Sequence, residues 1–298
     1  MRRLALVVNP ASGHGRGGRL LGRIMTRFQA AGVRVDAFAA SSWADAQALC
    51  VRAVSEGRDG LVVVGGDGMA HLGHNACAMG GGPLGIIPTG TGNDFARAVG
   101  IPPRWGEAVD AVIGDHTRTV DLMAVTGELH HGSSAYVGSV ISTGFDALVA
   151  QRAERLPVDL GAPTYGFAVL QELRRFSPLS YTLEIDEDRR ELSAMLVAVA
   201  NAGIFGGGIR IAPDFDLTDG LLDVTIVHPV PRRTLLALFP RLFTGSFVSH
   251  PAIERIRAAT VRVDVDQGAA SADGEPLGRT PLTCSTAAGA LRVFVPAE

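Results

Sequence analysis

Two glycine-rich turns carry most of the chemistry open to this sequence. Gly65-Gly66-Asp67-Gly68 and Gly90-Thr91-Gly92-Asn93-Asp94 each follow an apolar run and lead into a helical pattern. Glycine leaves no Cβ between main chain and ligand, so backbone amides can close on phosphate oxygens, and a helix N-terminus adds its dipole. Each turn also holds a carboxylate, Asp67 in the first and Asp94 in the second. A carboxylate beside phosphate calls for a divalent cation between them. Taken singly, the first turn reads equally as a type I′ or II turn in which Asp67 caps the next helix, and Asn93 or Asp94 as an ordinary N-cap. Two such turns in one α/β unit, with the hydroxyls of Thr89 and Thr91 beside the second, favour a phosphate site.

Other patterns are weaker. Gly13, Gly15 and Gly18 match G-x-G-x-x-G, but Asn9-Pro10-Ala11-Ser12 separates them from the preceding strand, where a dinucleotide fold has none. They read better as a loop whose amides, with His14 and Arg16, meet a nucleotide's outer phosphates; a turn rich in glycine for steric reasons is the alternative. The chain has no lysine, which excludes a Walker-type P-loop, a protein-kinase strand lysine and Schiff-base chemistry. Asp214-x-Asp216-x-x-Asp219-Gly220 lacks the EF-hand interval, since Thr225 stands where the closing glutamate belongs. His71 and His74 lack a third ligand and read as a helix-surface pair. Cys50, Cys77 and Cys284 have no paired spacing, which fits a reducing, cytoplasmic setting.

The elements that must hold these turns change character along the chain. Leu4 to Asn9, Val33 to Ala39, Leu61 to Val64 and Leu84 to Ile87 read as strands; Gly17 to Ala31, Asp45 to Ser55, Met69 to Met79 and Asp94 to Val99 read as helices. Alternation with unbroken apolar runs predicts a parallel sheet covered on both faces. From about Thr119 strands dominate, at Val120 to Val125, Ser134 to Ser142, Tyr181 to Ile185, Met195 to Asn201, Leu221 to Val227 and Val261 to Asp266. Helices are expected there only at Leu148 to Arg155, Gly166 to Arg175 and Arg233 to Phe243. A second, mostly antiparallel domain therefore follows a boundary near residue 125. A net charge of -3 argues against nucleic acid. No run approaches the roughly 18 apolar residues of a membrane span, so membrane contact is expected to be peripheral. Leu235, Leu236, Leu238, Phe239, Leu242 and Phe243, flanked by Arg232, Arg233 and Arg241, read first as a core-packing face and second as an element gripping acidic lipid.

In order and spacing, Asn9-Pro10-x-Ser12-Gly13, Gly65-Gly66-Asp67-Gly68 and Gly90-Thr91-Gly92-Asn93-Asp94-Phe95-Ala96-Arg97 resemble the diacylglycerol kinase catalytic family, which includes bacterial lipid kinases and sphingosine kinases. The resemblance continues through Asn201-Ala202-Gly203, Gly206-Gly207-Gly208, Ala212-Pro213, Asp219-Gly220-Leu221-Leu222-Asp223 and Asp273-Gly274-Glu275, nearly the whole chain. It implies a nucleotide-binding α/β domain like those of phosphofructokinase and NAD kinase over residues 1–125, a β-rich lipid-substrate domain over 126–284, a cleft between them, and a last strand at about 285–298 returning to the first.

The resemblance also implies roles. ATP contacts fall on Asn9, Ser41, Gly65, Gly66, Asp67, Gly68, Met69, Ala70, His71, Thr91, Asn93 and Asp94. Glu275 matches the general base, with Asp273 beside it; by spacing alone this segment is a solvated Asp-Gly hairpin. A structural Mg2+ site is implied from the Asp219 side chain and backbone oxygens near Asp216 and Leu221. After Gly68 the family pattern is Thr-x-Asn-Glu, whereas this chain has Met69, Ala70, His71 and Leu72, and His14 stands where many relatives have lysine. The expectation is an ATP- and Mg2+-dependent kinase making phosphatidic acid from diacylglycerol, visiting the inner membrane surface, with a homodimer left open. Kinases of a sphingoid base, ceramide or NAD, or a nucleotide-binding regulator, are the alternatives.

Overall fold

The computed structural model describes residues 2–78, 80–144, 177–265, 268–273 and 275–297. The helices expected at Leu148 to Arg155 and Gly166 to Arg175 lie outside them. The chain forms two compact units, Met1–Leu122 with Ala288–Glu298, and Met123–Ala287.

The first unit runs β1 (Arg3–Val8), α1 (Ser12–Ala30), β2 (Arg34–Ala39), α2 (Trp43–Ser55), β3 (Gly60–Gly65), α3 (Asp67–Cys77), β4 (Leu84–Pro88), α4 (Asp94–Ala98) and α5 (Trp105–Gly114). Its strands are parallel and lie in the order β4-β3-β1-β2, with the chain's last strand, Glu275–Phe294, joining outside β4 through Val293 and Leu84. Every residue of β3 and β4 is buried, as strands covered on both faces require. Leu4, Leu6, Val8, Val62 and Val64 share one core with Ile24 and Phe28 of α1 and Val109 and Val112 of α5. α2 and α3 pack together against the strands.

Helix α1 corrects the expected loop. It begins at Ser12, so Gly13, His14, Gly15 and Arg16 form its first turns rather than a loop before it. The glycines here have separate local causes: Gly13 and Gly15 take left-handed backbone at φ 58 and 82, and a Cβ on Gly17 would lie 2.6 Å from the Asn9 carbonyl oxygen. Gly17 is small because the helix starts hard against the end of β1.

The second unit holds the lower part of β5 (Thr117–Leu129), then β6 (Ser134–Val137), β7 (Val140–Gly144), β8 (Leu179–Ile185), β9 (Asp188–Ala194), β10 (Leu196–Ala200), the short pair β11 (Ile204–Phe205) and β12 (Ile209–Arg210), and β13 (Leu222–Val227). There follow α6 (Arg232–Leu242), β14 (Ile253–Ala258), β15 (Thr260–Val265), β16 (Ala269–Ala272) and β17 (Glu275–Phe294). The single strand expected from Ser134 to Ser142 is broken at Gly138 and Ser139 into β6 and β7. β7, β10, β13 and β14 are antiparallel neighbours, as are β9, β8 and β15; β17 pairs with β16 near its start and with β15 further along. Alternation divides β10 cleanly. Val197 and Val199 join Tyr181, Leu183, Val261 and Val263 in one core, while Ala198 and Ala200 face Leu238 and Phe247 in another. The α6 face is only partly core, since Leu238 is buried but Leu236 and Phe243 are 48% and 45% exposed.

Candidate functional site

Sequence order reverses around β1: β2 lies on one side of it, β3 and β4 on the other. Open α/β sheets bind ligands beyond the carboxyl ends of their strands at such a point. The turns after β1, β3 and β4 meet there. A Cβ on Gly90 would lie 2.5 Å from Gly66 Cα, and one on Gly13 would lie 2.0 Å from the Thr89 carbonyl oxygen. Ser12 Oγ is 3.2 Å from Thr89 Oγ1.

Asp67 ties the turns together. Its Oδ2 accepts the Asn93 amide and its Oδ1 the Asp94 amide, each at 2.7 Å. The acid of the first turn thus caps the helix opened by the second turn, in place of the capping of its own helix. Asn93, the N-cap of α4, is left-handed at φ 52 and ψ 43, a conformation asparagine tolerates. Its side chain bends back to Gly90, donating to the carbonyl at 2.7 Å and accepting the amide at 3.1 Å. At Gly92 a Cβ would sit 2.5 Å from Asp67 Oδ2 and 3.4 Å from Asp94 Oδ2, so both carboxylates flank one point. Asp94 is buried and accepts Arg97 Nη1 at 2.9 Å.

Burial raises the Asp67 carboxyl above its ordinary range, although the backbone amides of Asp94, Asn93 and Phe95 pull the other way. Buried anionic oxygens with this cost suit a hard divalent cation shared with phosphate. The donor set therefore fits a metal–nucleotide tail, with Asp67 and Asp94 as the acids.

The other expected contacts divide. Asn9 lies at the end of β1, where its Oδ1 accepts the Ala11 amide at 3.0 Å. Ser41 follows β2, and its hydroxyl and amide both donate to Asp45 at 2.8 Å, a helix-start arrangement completed by Ser42 as N-cap of α2. Met69 and Ala70 are buried, and Met69 packs against Gly65, so their side chains serve the core. His71 is half-buried, and its carbonyl accepts Asn75 Nδ2 at 2.9 Å.

The histidine pair is corrected: His74 is buried, not on the helix surface. Its ring stacks on Phe95 at 4.9 Å and meets His71 edge-on at 5.5 Å, and His71 stacks on Trp43 at 6.3 Å. Desolvation, then the neighbouring His71, holds His74 well below the usual histidine range. This column of rings escaped sequence reasoning because it crosses three helices; only the spacing of His71 and His74 hinted at it.

In the second unit, Asp273 is left-handed at φ 54 and is locked to β7, its amide donating to the Val140 carbonyl and its Oδ1 accepting the Val140 amide at 2.8 Å. Glu275 opens β17 opposite Ala272. Asp216 Oδ1 accepts both Thr218 groups, and Asp219 Oδ1 accepts the Leu221 amide at 3.0 Å. Asp219 also lies 3.4 Å from Arg257, which with Arg255 balances Asp223. Among the described residues no three His, Cys, Asp or Glu side chains are grouped to hold a metal, and no helix is long and apolar enough to cross a membrane.

Known proteins share this plan. The diacylglycerol kinase catalytic domain matches residues 3–125, and the YegS C-terminal NAD kinase beta sandwich-like domain matches residues 139–295. A Mycobacterium tuberculosis protein named diacylglycerol kinase is 36% identical over 296 residues, 99% of this chain and 95% of the relative. A Pseudomonas aeruginosa protein named as a YegS-like lipid kinase is 34% identical over 260 residues, 85% and 82% of the two chains. A solved structure of a diacylglycerol kinase from Bacillus anthracis superposes with a TM-score of 0.79 at 23% identity, covering 99% of this chain and 97% of that one.

Proposed function

Since this chain belongs to the diacylglycerol kinase catalytic family and is a lipid kinase, a phosphotransferase with an alcohol acceptor, we propose that it uses ATP to phosphorylate the hydroxyl of diacylglycerol, giving phosphatidic acid. The observation that carries the reading is the Asp67 tie, which unites two glycine turns at the reversal of the sheet. The ATP phosphates lie across these turns, close to main chain that carries no Cβ. Asp67 and Asp94 hold Mg2+, which supplies neutralisation of phosphate charge when bound. Asn9 and Ser41 flank the nucleotide, and Thr91 and Asn93 meet its phosphates.

Glu275 takes the proton from the lipid hydroxyl as that oxygen attacks the γ-phosphate. Asp273 positions the turn that presents it, through its two bonds to Val140. Asp216, Asp219 and Leu221 hold a structural Mg2+. The remaining contribution is placement of the two substrates. The protein visits the inner face of the membrane to reach its substrate, and the exposed Leu236 of α6 and Phe243 just beyond its end support that contact.

Transfer of labelled phosphate from ATP to a panel of lipids in mixed micelles tests the reading. Diacylglycerol is expected to lead, with Glu275→Gln lowering the rate about 10²- to 10⁴-fold in a folded protein, and Asp67→Ala nearly abolishing transfer. The YegS-like relative keeps a second reading open, a kinase of another lipid such as a sphingoid base or ceramide, on the same scaffold. Label on that lipid alone would select it. ATP binding with no lipid labelled would instead mark a regulator, in line with Met69, Ala70 and His71.

A further inference from the structure

We propose that Trp43 seats the base of the bound nucleotide, giving the phosphate site a purine-stacking end that its glycine turns do not supply. The inference rests on the nucleotide reading above and adds a side chain that none of the motifs indicates. Trp43 opens α2, just beyond the carboxyl end of β2. The glycine turns that take the phosphates follow β3 and β4, and β2 lies across β1 from them. Two strand spacings, about 10 Å, therefore separate β2 from β3. The sugar of a nucleotide crosses that gap when its phosphates lie on the turns. All of these residues belong to the first unit.

Trp43 is the outer end of the ring column, and the column is anchored in both turns. Phe95 follows Asp94 on α4, and His71 lies one helical turn beyond Asp67 on α3, on the same face as that acid. The inner pair, His74 and Phe95, is buried and closely stacked, with centroids 4.9 Å and planes 18° apart. The outer pair, His71 and Trp43, is looser, at 6.3 Å and 26°. Asn75 fixes His71 from below, its Nδ2 donating to the His71 carbonyl at 2.9 Å and lying 3.4 Å from Nε2 of the ring. The platform is thus firm where it joins the turns and open at its tip. Trp43 is 39% exposed, whereas the other described phenylalanines and tryptophans of the first unit are buried or half-buried. A planar base laid against the indole takes that apolar face out of water. Every base offers a π-face for such stacking, and the larger face of a purine gains more than that of a pyrimidine. His71 and the buried Leu72 place a ring and an apolar chain where the family pattern has an amide and a carboxylate. This corner is therefore built to stack rather than to read base edges.

Trp43 and Trp105 are the two tryptophans of the chain, so in a Trp105→Phe background the emission reports Trp43 alone. ATP with Mg2+ is expected to quench it saturably, whereas tripolyphosphate with Mg2+, which lacks a base, binds without quenching. By calorimetry, Trp43→Ala should weaken ATP binding about ten- to a hundredfold. Trp43→Phe should stay close to wild type, and tripolyphosphate affinity should be equal in all three proteins. Wild type should prefer ATP to CTP, and Trp43→Ala should narrow that preference. Equal ATP affinity in folded Trp43→Ala overturns the base seat and leaves the kinase reading in place. Parallel loss of ATP and tripolyphosphate in that variant marks a structural role for the indole and overturns it as well. Absence of ATP binding to wild type removes both readings together.

Discussion

At Gly90 one methyl group separates a working site from a broken one. An alanine there would bring its Cβ within 2.5 Å of Gly66 Cα and 3.3 Å of Gly66 N, main-chain atoms that cannot swing aside. Overpacking of this kind costs about 1–3 kcal/mol, and the two turns must part to relieve it. Gly90→Ala is expected to lower the urea midpoint and to weaken ATP binding by calorimetry. Gly22 in α1 is the control, because a Cβ there meets nothing within 4 Å. Gly22→Ala should stabilise by about 0.5–1 kcal/mol and leave ATP affinity alone. The glycines and acids of both turns were legible in the sequence because their types are dictated locally. The bond from Asp67 to the amides of Asn93 and Asp94 was not, since its partners lie 26 and 27 positions further along the chain. Spacing gave two capping acids; only the fold shows that one of them caps across the gap.

Element by element, the strands of the first unit were readable because burial on both faces leaves continuous apolar runs. β9 was missed for the opposite reason. Four successive charged residues, Asp188 to Glu191, fill its first half, and among the described residues it pairs with β8 alone, so no apolar run marks it. The first turns of α1 were missed because glycine is a poor helix former, and there the close approach to Asn9 overrides propensity. Helix α3 makes a prediction that pH can test. His74 is neutral in the fold, facing His71 on its own helix and Phe95 on α4. Its folded pKa lies below the unfolded value near 6.5, so its contribution is intact above pH 6.5 and is lost as pH falls toward the folded value. Within that window each pH unit removes about 1.4 kcal/mol. Asp67 has the opposite sign, because its raised carboxyl costs stability as pH climbs through its range from 3.8 upward. Thermal melts of wild type and His74→Phe between pH 5 and 7.5 cancel the Asp67 contribution. Wild type should lose several degrees relative to the variant at the acid end; parallel curves would show that His74 is not held neutral.

For the whole molecule, the first unit is completed by residues almost two hundred positions beyond its own turns. The family resemblance implied a last strand over about residues 285–298, yet β17 starts earlier and runs from Glu275 to Phe294. Its end belongs to the nucleotide-type core: Leu291, Val293 and Phe294 are buried, Val293 pairs with Leu84, and the Val295 amide donates to the His116 carbonyl at 2.9 Å. Phe294 shares a cluster with Leu4, Val62, Ile87 and Val112 and carries the Arg2 guanidinium over its ring at 5.4 Å. Close contact with main chain also fixes its surroundings, since a Cβ on Gly60 would lie 3.1 Å from the ring. Phe294→Ala should therefore cost about 3–5 kcal/mol although it touches no turn. Nucleotide that binds only the folded form restores about 2.7 kcal/mol at one hundred times its dissociation constant. Urea unfolding with and without ATP and Mg2+ is thus expected to show a large fall in midpoint, more than half recovered by ligand. An unchanged midpoint would remove the last strand from the first core, and a fall that ligand does not reverse would remove the nucleotide from the first unit.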